Sequence, residues 1–277
     1  MNLRDWLQHA SARLEAAGIE SAKLEAQVLA SHVMLVDRTW IIAHPEAEIY
    51  ELAAETVLQR RESREPLAYI LGWREFYGRR FEVAPGVLIP RQDTEILLEV
   101  ALRLADEGPI LDLGTGSGCL AITLKLERPE LEVWASDISQ VALNLAKRNA
   151  EFHGADIRFL ESDLFDRFPQ VQFEHILSNP PYIADSEELM PEVQNHEPSG
   201  ALFSGPTGLE FYERLAIEAP PFIKPIGKLA VEVGQGQAWD VVNVLSVQGW
   251  PNDWVTCDLS GIERVVVSTR PGPPILP

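Results

Sequence analysis

The sequence predicts an α/β protein, with a mostly parallel sheet covered by helices on both faces, an antiparallel hairpin at its C-terminal edge and a small helical domain in front. Three observations carry this. From Pro109 onward, short apolar runs ending in Gly, Asp or Asn alternate with helical stretches, as strand–helix–strand units do. The last two apolar runs, WVTCDL and RVVVSTR, are separated only by SGIE, too few residues for a parallel crossover, so they must pair antiparallel. The first seventy or so residues read as helical.

Within that N-terminal region, Leu3, Leu7 and Leu14 fall near one face, and Leu24, Val28, Leu29 and Val33 repeat the pattern after Gly18. Pro45 opens a further helical stretch with Leu52, Val57 and Leu58 apolar, ending in the charged run QRRESRE before Pro66. With no phosphate loop or metal-ligand spacing in it, this domain (residues 1–71) is expected to pack or to recognise. The stretch GWREFYGRRFEV turns at Gly78 and reads as a β-hairpin linker over residues 72–85. Residues 86–277 form the remaining domain. Its loop APGVLIPRQ leads to a helix from Asp93 or Thr94. PILDLG, LEVWASD, IRFLESD, HILSNPP and KLAVEVG are then strands, with CLAITLKLER and VALNLAKRNAEFHG among the helices. The tail RPGPPILP is rich in proline.

A chain of 277 residues, 46% hydrophobic and 23% charged, suits two unequal domains with a full core. No apolar run approaches the ~18 residues of a membrane helix, and the first residues lack the apolar core of a secretory signal. A cytoplasmic protein away from membranes is expected. Cys119 and Cys257 stand far apart and alone, which argues against a disulfide framework or a zinc site. The net charge of −19 disfavours nucleic acid as a direct partner, because Lys and Arg neutralising phosphates supply most of that affinity. Arg60, Arg61 and Arg64, and Arg79 with Arg80, are two small clusters and not a basic stripe. A monomer acting on something other than nucleic acid is expected. The histidines show no metal spacing, and only His196 is a candidate for the crevice.

ILDLGTGSGCLAI places Gly114, Gly116 and Gly118 at a strand-to-helix turn, where glycine lets the backbone approach a ligand closely. A dinucleotide fingerprint requires glycine where Cys119 stands, so the pattern is Asp-x-Gly-x-Gly-x-Gly, that of an S-adenosyl-L-methionine site. Asp137, roughly 20 residues on at the end of the next strand, suits the ribose hydroxyls. Asp163 ends the third strand beside the expected adenine position, with Leu164 covering the ring, and Asp112 sits nearer the methionine end. Five parallel strands and a terminal hairpin are the arrangement of class I (Rossmann-like) methyltransferases.

SNPPY ends the fourth strand, on the side of an open parallel sheet where ligands bind. Pro180 and Pro181 fix the backbone and leave carbonyls free to accept. Asn179 adds a side-chain acceptor, and Tyr182 a flat face. Two acceptors suit the two hydrogens of a planar NH2 group. Binding both raises electron density on a nitrogen whose lone pair is otherwise delocalised and aims it at the methyl donor, so positioning and electrostatics supply the catalysis.

The chain resembles the HemK/PrmC-type methyltransferases, which methylate the glutamine of the Gly-Gly-Gln motif in peptide-chain release factors. The resemblance runs through EPLAYILGWREFYGRRFEV, IPRQDTEILLE, ILDLGTGSGCLAI, SDLF, SNPPYI and EP..ALFSGPTGLEFYERL. It implies a glutamine amide held by Asn179, Pro180, Pro181 and Tyr182, and S-adenosyl-L-methionine on Gly114, Thr115, Gly116, Ser117, Gly118, Asp137 and Asn179. It also implies that the helical domain and the hairpin hold the release factor. Gln92 replaces a proline usual in the family, with no polar group lost, and Leu164 stands where some members carry tryptophan. A sister family modifying a ribosomal-protein glutamine shares the pocket, but Asp93-Thr94-Glu95 departs from its Pro-Arg-Ser-Pro pattern. Two further readings are a nucleic-acid exocyclic-amine methyltransferase, which would bring a basic groove, and a non-catalytic binding module, which would have no need of two acceptors.

Overall fold

Apolar residues at helical spacing shape the N-terminal region in the computed structural model, which describes residues 1–104 and 108–272. The proline-rich tail beyond Gly272 lies outside the described residues. Helix α1 (Leu3–Ala16) is capped by Asn2, whose side chain accepts from the Asp5 N–H, and it buries Leu3, Trp6, Ala10 and Leu14. Helix α2 (Ala22–Met34) corrects the expected face in part, since Leu29 and Val33 pack inward as expected and Leu24 does not. Ala22, Ala26, Leu29 and Ala30 are buried, whereas Leu24 is 44% exposed. Alanines at four-residue spacing let α1 approach closely, and a reading weighted on leucine overlooks them.

Pro45 does not open the next helix. The short α3 (Arg38–Ala43), capped by Asp37, comes first, and α4 (Glu51–Glu62) begins only after a turn. On α4, Ala54, Val57 and Leu58 face inward and Leu52 is 85% exposed. Helix α5 (Leu67–Leu71) ends on the left-handed Gly72.

Arg61, only 7% exposed at its side chain, donates to Glu25 and, at 3.2 Å, to Glu192, whose other oxygen accepts from Arg64 at 2.7 Å. The segment Leu189–His196 accordingly groups with Met1–Trp73 as one compact unit, and Arg74–Glu188 with the chain from Glu197 onward forms the other. Arg61→Ala leaves two nearly buried carboxylates short of a partner, so unfolding of the protein in denaturant should show a loss of about 3 kcal/mol. A loss under half a kilocalorie would show the pair to be unimportant.

The hairpin, β1 (Trp73–Phe76) and β2 (Arg79–Glu82), turns through Tyr77 and Gly78, both at positive φ (49° and 71°), the two-residue turn that matches strand twist. Its Phe76 and Phe81 are buried in the core of the second unit. There follow α6 (Thr94–Leu104), β3 (Ile110–Leu113), α7 (Cys119–Glu127), β4 (Val133–Asp137), α8 (Gln140–His153), β5 (Arg158–Glu161) and β6 (Phe173–Ser178). The chain continues with α9 (Pro191–His196), α10 (Glu210–Glu218), β7 (Ile223–Glu232), α11 (Ala238–Val247), β8 (Asn252–Cys257) and β9 (Glu263–Thr269).

Seven strands form one sheet in the order β5-β4-β3-β6-β7-β9-β8, with β9 antiparallel to both of its neighbours and the other pairs parallel. Side-chain alternation sends Ala230, Val265 and Val267 to the face covered by α6 and α7, and Leu229, Val231 and Val266 to the face under α10 and α11. Both faces are buried, which is why these strands read as continuous apolar runs. The strand order reverses between β3 and β6, and in an open sheet the crevice for ligands opens at such a reversal.

Candidate active site

The register across the reversal builds the site. Leu113 on β3 pairs with Ser178 on β6, so the residues that follow, Gly114 and Asn179, leave neighbouring strands side by side. Ser136 on β4 also pairs with Leu113, which brings Asp137 to the same end of the sheet. The Ser178 hydroxyl donates to the Leu113 carbonyl at 2.8 Å and fastens the two strand ends together.

These ends open into one cavity of about 500 Å³, within the range of small-molecule sites. Of the residues expected from sequence, Gly114, Thr115, Gly116, Ser117, Asp137, Asp163, Leu164, Asn179, Pro180 and Pro181 line it. Gly118, Tyr182 and His196 are not among its lining residues. At Gly118 an added Cβ would stand 2.9 Å from Ile122 and 3.0 Å from Ala146, so this glycine lets α7 pack closely on α8. Tyr182 is half-buried and packs against the core beside α10 and α11, and burial with the nearby Glu232 carboxylate pushes its phenol up to about 12. His196 ends α9, in the unit of the N-terminal helices.

The glycine turn is held from several sides. Gly114 and Gly116 have φ of 78° and 56°, and an added Cβ at Gly114 would meet nothing within 4 Å; glycine is required there by conformation and leaves space for a ligand. The Asp137 carboxylate accepts from the Gly116 N–H at 2.9 Å and the Ser139 N–H at 2.8 Å. Each oxygen keeps a lone pair for a further donor, which fits a ribose diol. Burial raises the Asp137 pKa, and its backbone hydrogen bonds oppose that rise. Asp112 accepts from Thr115 Oγ1 at 2.6 Å and the Ala121 N–H at 3.2 Å, and burial pushes its carboxyl up to about 7. Asn149 on α8 donates to the Ser117 carbonyl at 2.9 Å and exchanges hydrogen bonds with Glu82 of β2, tying the hairpin to the turn.

At the other wall, Asn179 Nδ2 donates to Thr94 Oγ1 at 2.9 Å. Neither Asn179 Oδ1 nor the Pro180 carbonyl accepts a hydrogen bond from the described residues, so two acceptors remain for a ligand. Asp163 is paired with Arg214 of α10 at 3.0 Å, both at the cavity wall. Arg91 lines the cavity too and donates at 2.6 Å to the buried Glu197, which also accepts from the Ile89 N–H.

Sequence reasoning gave no role to Thr94, Asn149, Glu197, Arg214 or Glu232. All five lie inside stretches that the sequence pattern marks as motif, strand or helix, but these partners are distant in sequence and no spacing betrays them.

Glu232 is 1% exposed, and burial pushes its carboxyl up to about 7 against the opposing pull of the nearby Thr94 hydroxyl. An acid whose folded pKa lies above its unfolded value contributes most stability below the unfolded pKa, about 4.5, and loses it as pH rises through about 7. Glu232→Gln, which mimics the protonated form, should therefore gain stability over the parent protein between pH 5 and pH 8, by about 3 kcal/mol. Melting temperatures at the two pH values test this. An unchanged difference would mean that Glu232 titrates normally.

Strand order, glycine turn and acceptor-lined crevice together define a class I methyltransferase. A model of the PrmC N-terminal domain matches residues 5–72, and one of the methyltransferase small domain matches residues 91–195. A release factor glutamine methyltransferase of Geobacter sulfurreducens is 43% identical over 259 residues, covering 91% of each chain. Another, from Koribacter versatilis, is 39% identical over 280 residues, covering 98% of this chain and 99% of its own. The chain belongs to the release factor glutamine methyltransferase family. Among solved structures, a methyltransferase from Pyrococcus furiosus shares the fold at a TM-score of 0.54 and 18% identity, over 71% of this chain and 91% of its own.

Proposed function

We propose that this enzyme methylates the side-chain amide nitrogen of the glutamine in the Gly-Gly-Gln motif of peptide-chain release factors, with S-adenosyl-L-methionine as methyl donor. The observation that supports it best is the pairing of Leu113 with Ser178, which opens the glycine turn and the Asn179–Pro180 acceptors into one cavity. When bound, the cofactor supplies a methyl group activated on a sulfonium centre. Gly114 to Ser117 and Asp137 would hold it, with Leu164 and Asp163 at the adenine end. Asn179 Oδ1 and the Pro180 carbonyl would accept the two amide hydrogens of the glutamine and fix its nitrogen for attack. The proton that leaves the nitrogen passes to water.

No helix among the described residues is long and apolar enough to cross a membrane. On this reading the enzyme works as a monomer in the cytoplasm on a protein, without direct contact with nucleic acid, and the ribosomal-protein and nucleic-acid substrates are disfavoured. The helical region over residues 1–71 and the hairpin over 72–85 would receive the release factor. Mass spectrometry of a release factor incubated with enzyme and labelled cofactor tests the assignment. The label is expected on the Gly-Gly-Gln glutamine; a label on another residue would overturn the substrate.

A further inference from the structure

Strands β6 and β7 run parallel with Ser178 opposite Val231, so Asn179 and Glu232 emerge side by side at the crevice end of the sheet. Between them stands Thr94, the first residue of α6, itself buried and part of the cavity wall. Thr94 accepts from Asn179 Nδ2 at 2.9 Å, and its hydroxyl stands near enough to the Glu232 carboxyl to pull that acid's pKa down. One carboxyl oxygen, Oε2, is buried with no hydrogen-bond partner among the described residues. A buried acid held this way costs stability, which points to a role other than holding the fold together.

We propose that Thr94 and Glu232 are positioning residues: Glu232 engages the one hydroxyl proton of Thr94, which obliges the Asn179 amide to turn its carbonyl oxygen to the substrate. The inference rests on the reading of Asn179 as an acceptor for the substrate NH2. A threonine hydroxyl has one proton, and Glu232 in its ionised form can only accept, so above the pKa of that acid the proton goes to Glu232. The Thr94 oxygen can then only accept, and of the two ends of the Asn179 amide only NH2 can supply it. Oδ1 is thereby left for the substrate. A reversed amide would set its NH2 against the substrate NH2, donor against donor, and the nitrogen to be methylated would lose one of its two anchors.

Each link can be broken with little change of shape. In Glu232→Gln the new NH2 can donate to Thr94, which frees the Thr94 proton to donate to Asn179 Oδ1 and turns that amide over. Thr94→Val removes the hydroxyl at nearly constant volume, whereas Thr94→Ser keeps it. The measurements are kcat and KM for a release factor, with the Kd for S-adenosylhomocysteine as a check on the cofactor side.

Glu232→Gln and Thr94→Val should each lower kcat roughly tenfold or more, the scale of a misplaced reacting group, with cofactor Kd within about twofold of the parent. Thr94→Ser should restore most of the rate lost in Thr94→Val. In an Asn179→Ala background neither change should cost anything further, because no amide is left to orient. Should Glu232→Gln fail to fold, the Val–Ser comparison at Thr94 carries the test. Parent-like kcat in both Glu232→Gln and Thr94→Val, beside an impaired Asn179→Ala, would overturn the relay, as would undiminished losses in the Asn179→Ala background. If Asn179→Ala itself turned over at the parent rate, the reading of the pocket would have failed instead.

Discussion

Asn179→Ala is expected to lower kcat by about 10²–10³-fold, the loss seen when one preorganised polar contact is removed from a reacting centre. Asn179 follows a strand residue hydrogen-bonded to β3, its Nδ2 is committed to Thr94, and its Oδ1 has no other donor among the described residues. It is one of two acceptors placed at the cavity wall, the other being the Pro180 carbonyl, which no side-chain change removes. A glutamine amide keeps its nitrogen lone pair delocalised unless both hydrogens are held, so losing one acceptor costs nucleophilicity and aim together. Cofactor affinity should move by only a few-fold, because the glycine turn and Asp137 are untouched. Single-turnover assays with saturating cofactor check this, and a tenfold or smaller loss would mean that Pro180 and the cavity shape suffice.

Asp137→Asn is expected to weaken cofactor binding by about 10²-fold. The two Asp137 oxygens accept from the Gly116 and Ser139 N–H groups at once. Asparagine has one oxygen, so in either orientation its NH2 faces one of those N–H groups and a backbone anchor is lost. Losing that anchor and one ribose acceptor removes two hydrogen bonds to a charged group, each worth about 1.5–3 kcal/mol. A total near 3 kcal/mol corresponds to about two decades of Kd. Calorimetric titration with S-adenosylhomocysteine measures it. With cofactor saturating, kcat should stay within a few-fold of the parent, the converse of the Asn179 variant.

The contrast between the two shows which parts of the site were legible in the sequence. The glycine turn, Asp137 and the Asn-Pro-Pro segment are local: each needs a special backbone or a residue at a strand end, and such needs leave marks within a few positions. The sheet was legible because both its faces are buried, which makes its strands continuous apolar runs. In α2 Leu29 and Val33 were read correctly as inward and Leu24 was not, and the buried alanines went unread because alanine carries little hydrophobic signal yet packs well where helices approach closely. Gly118 shows a motif residue doing a packing task, its missing Cβ filled by Ile122 and Ala146. Tyr182 belongs to the sequence motif, yet it is half-buried against the core and is not among the residues lining the cavity.

What sequence could not supply is contact between distant positions. Thr94 meets Asn179 across 85 residues, and Arg61 meets Glu192 across 131. Glu232 stands inside the strand run KLAVEVG, two residues before the glycine that ends it. Only strand register sets it beside Asn179, and only burial makes its protonation matter. Net charge said nothing of which residue would be modified.

The most direct test is a crystal structure of the enzyme with S-adenosylhomocysteine and a Gly-Gly-Gln peptide. The account predicts the glutamine NH2 donating to Asn179 Oδ1 and to the Pro180 carbonyl, with its nitrogen facing the cofactor sulfur. A glutamine side chain bound elsewhere, or held through its carbonyl with the nitrogen turned from the sulfur, would contradict it.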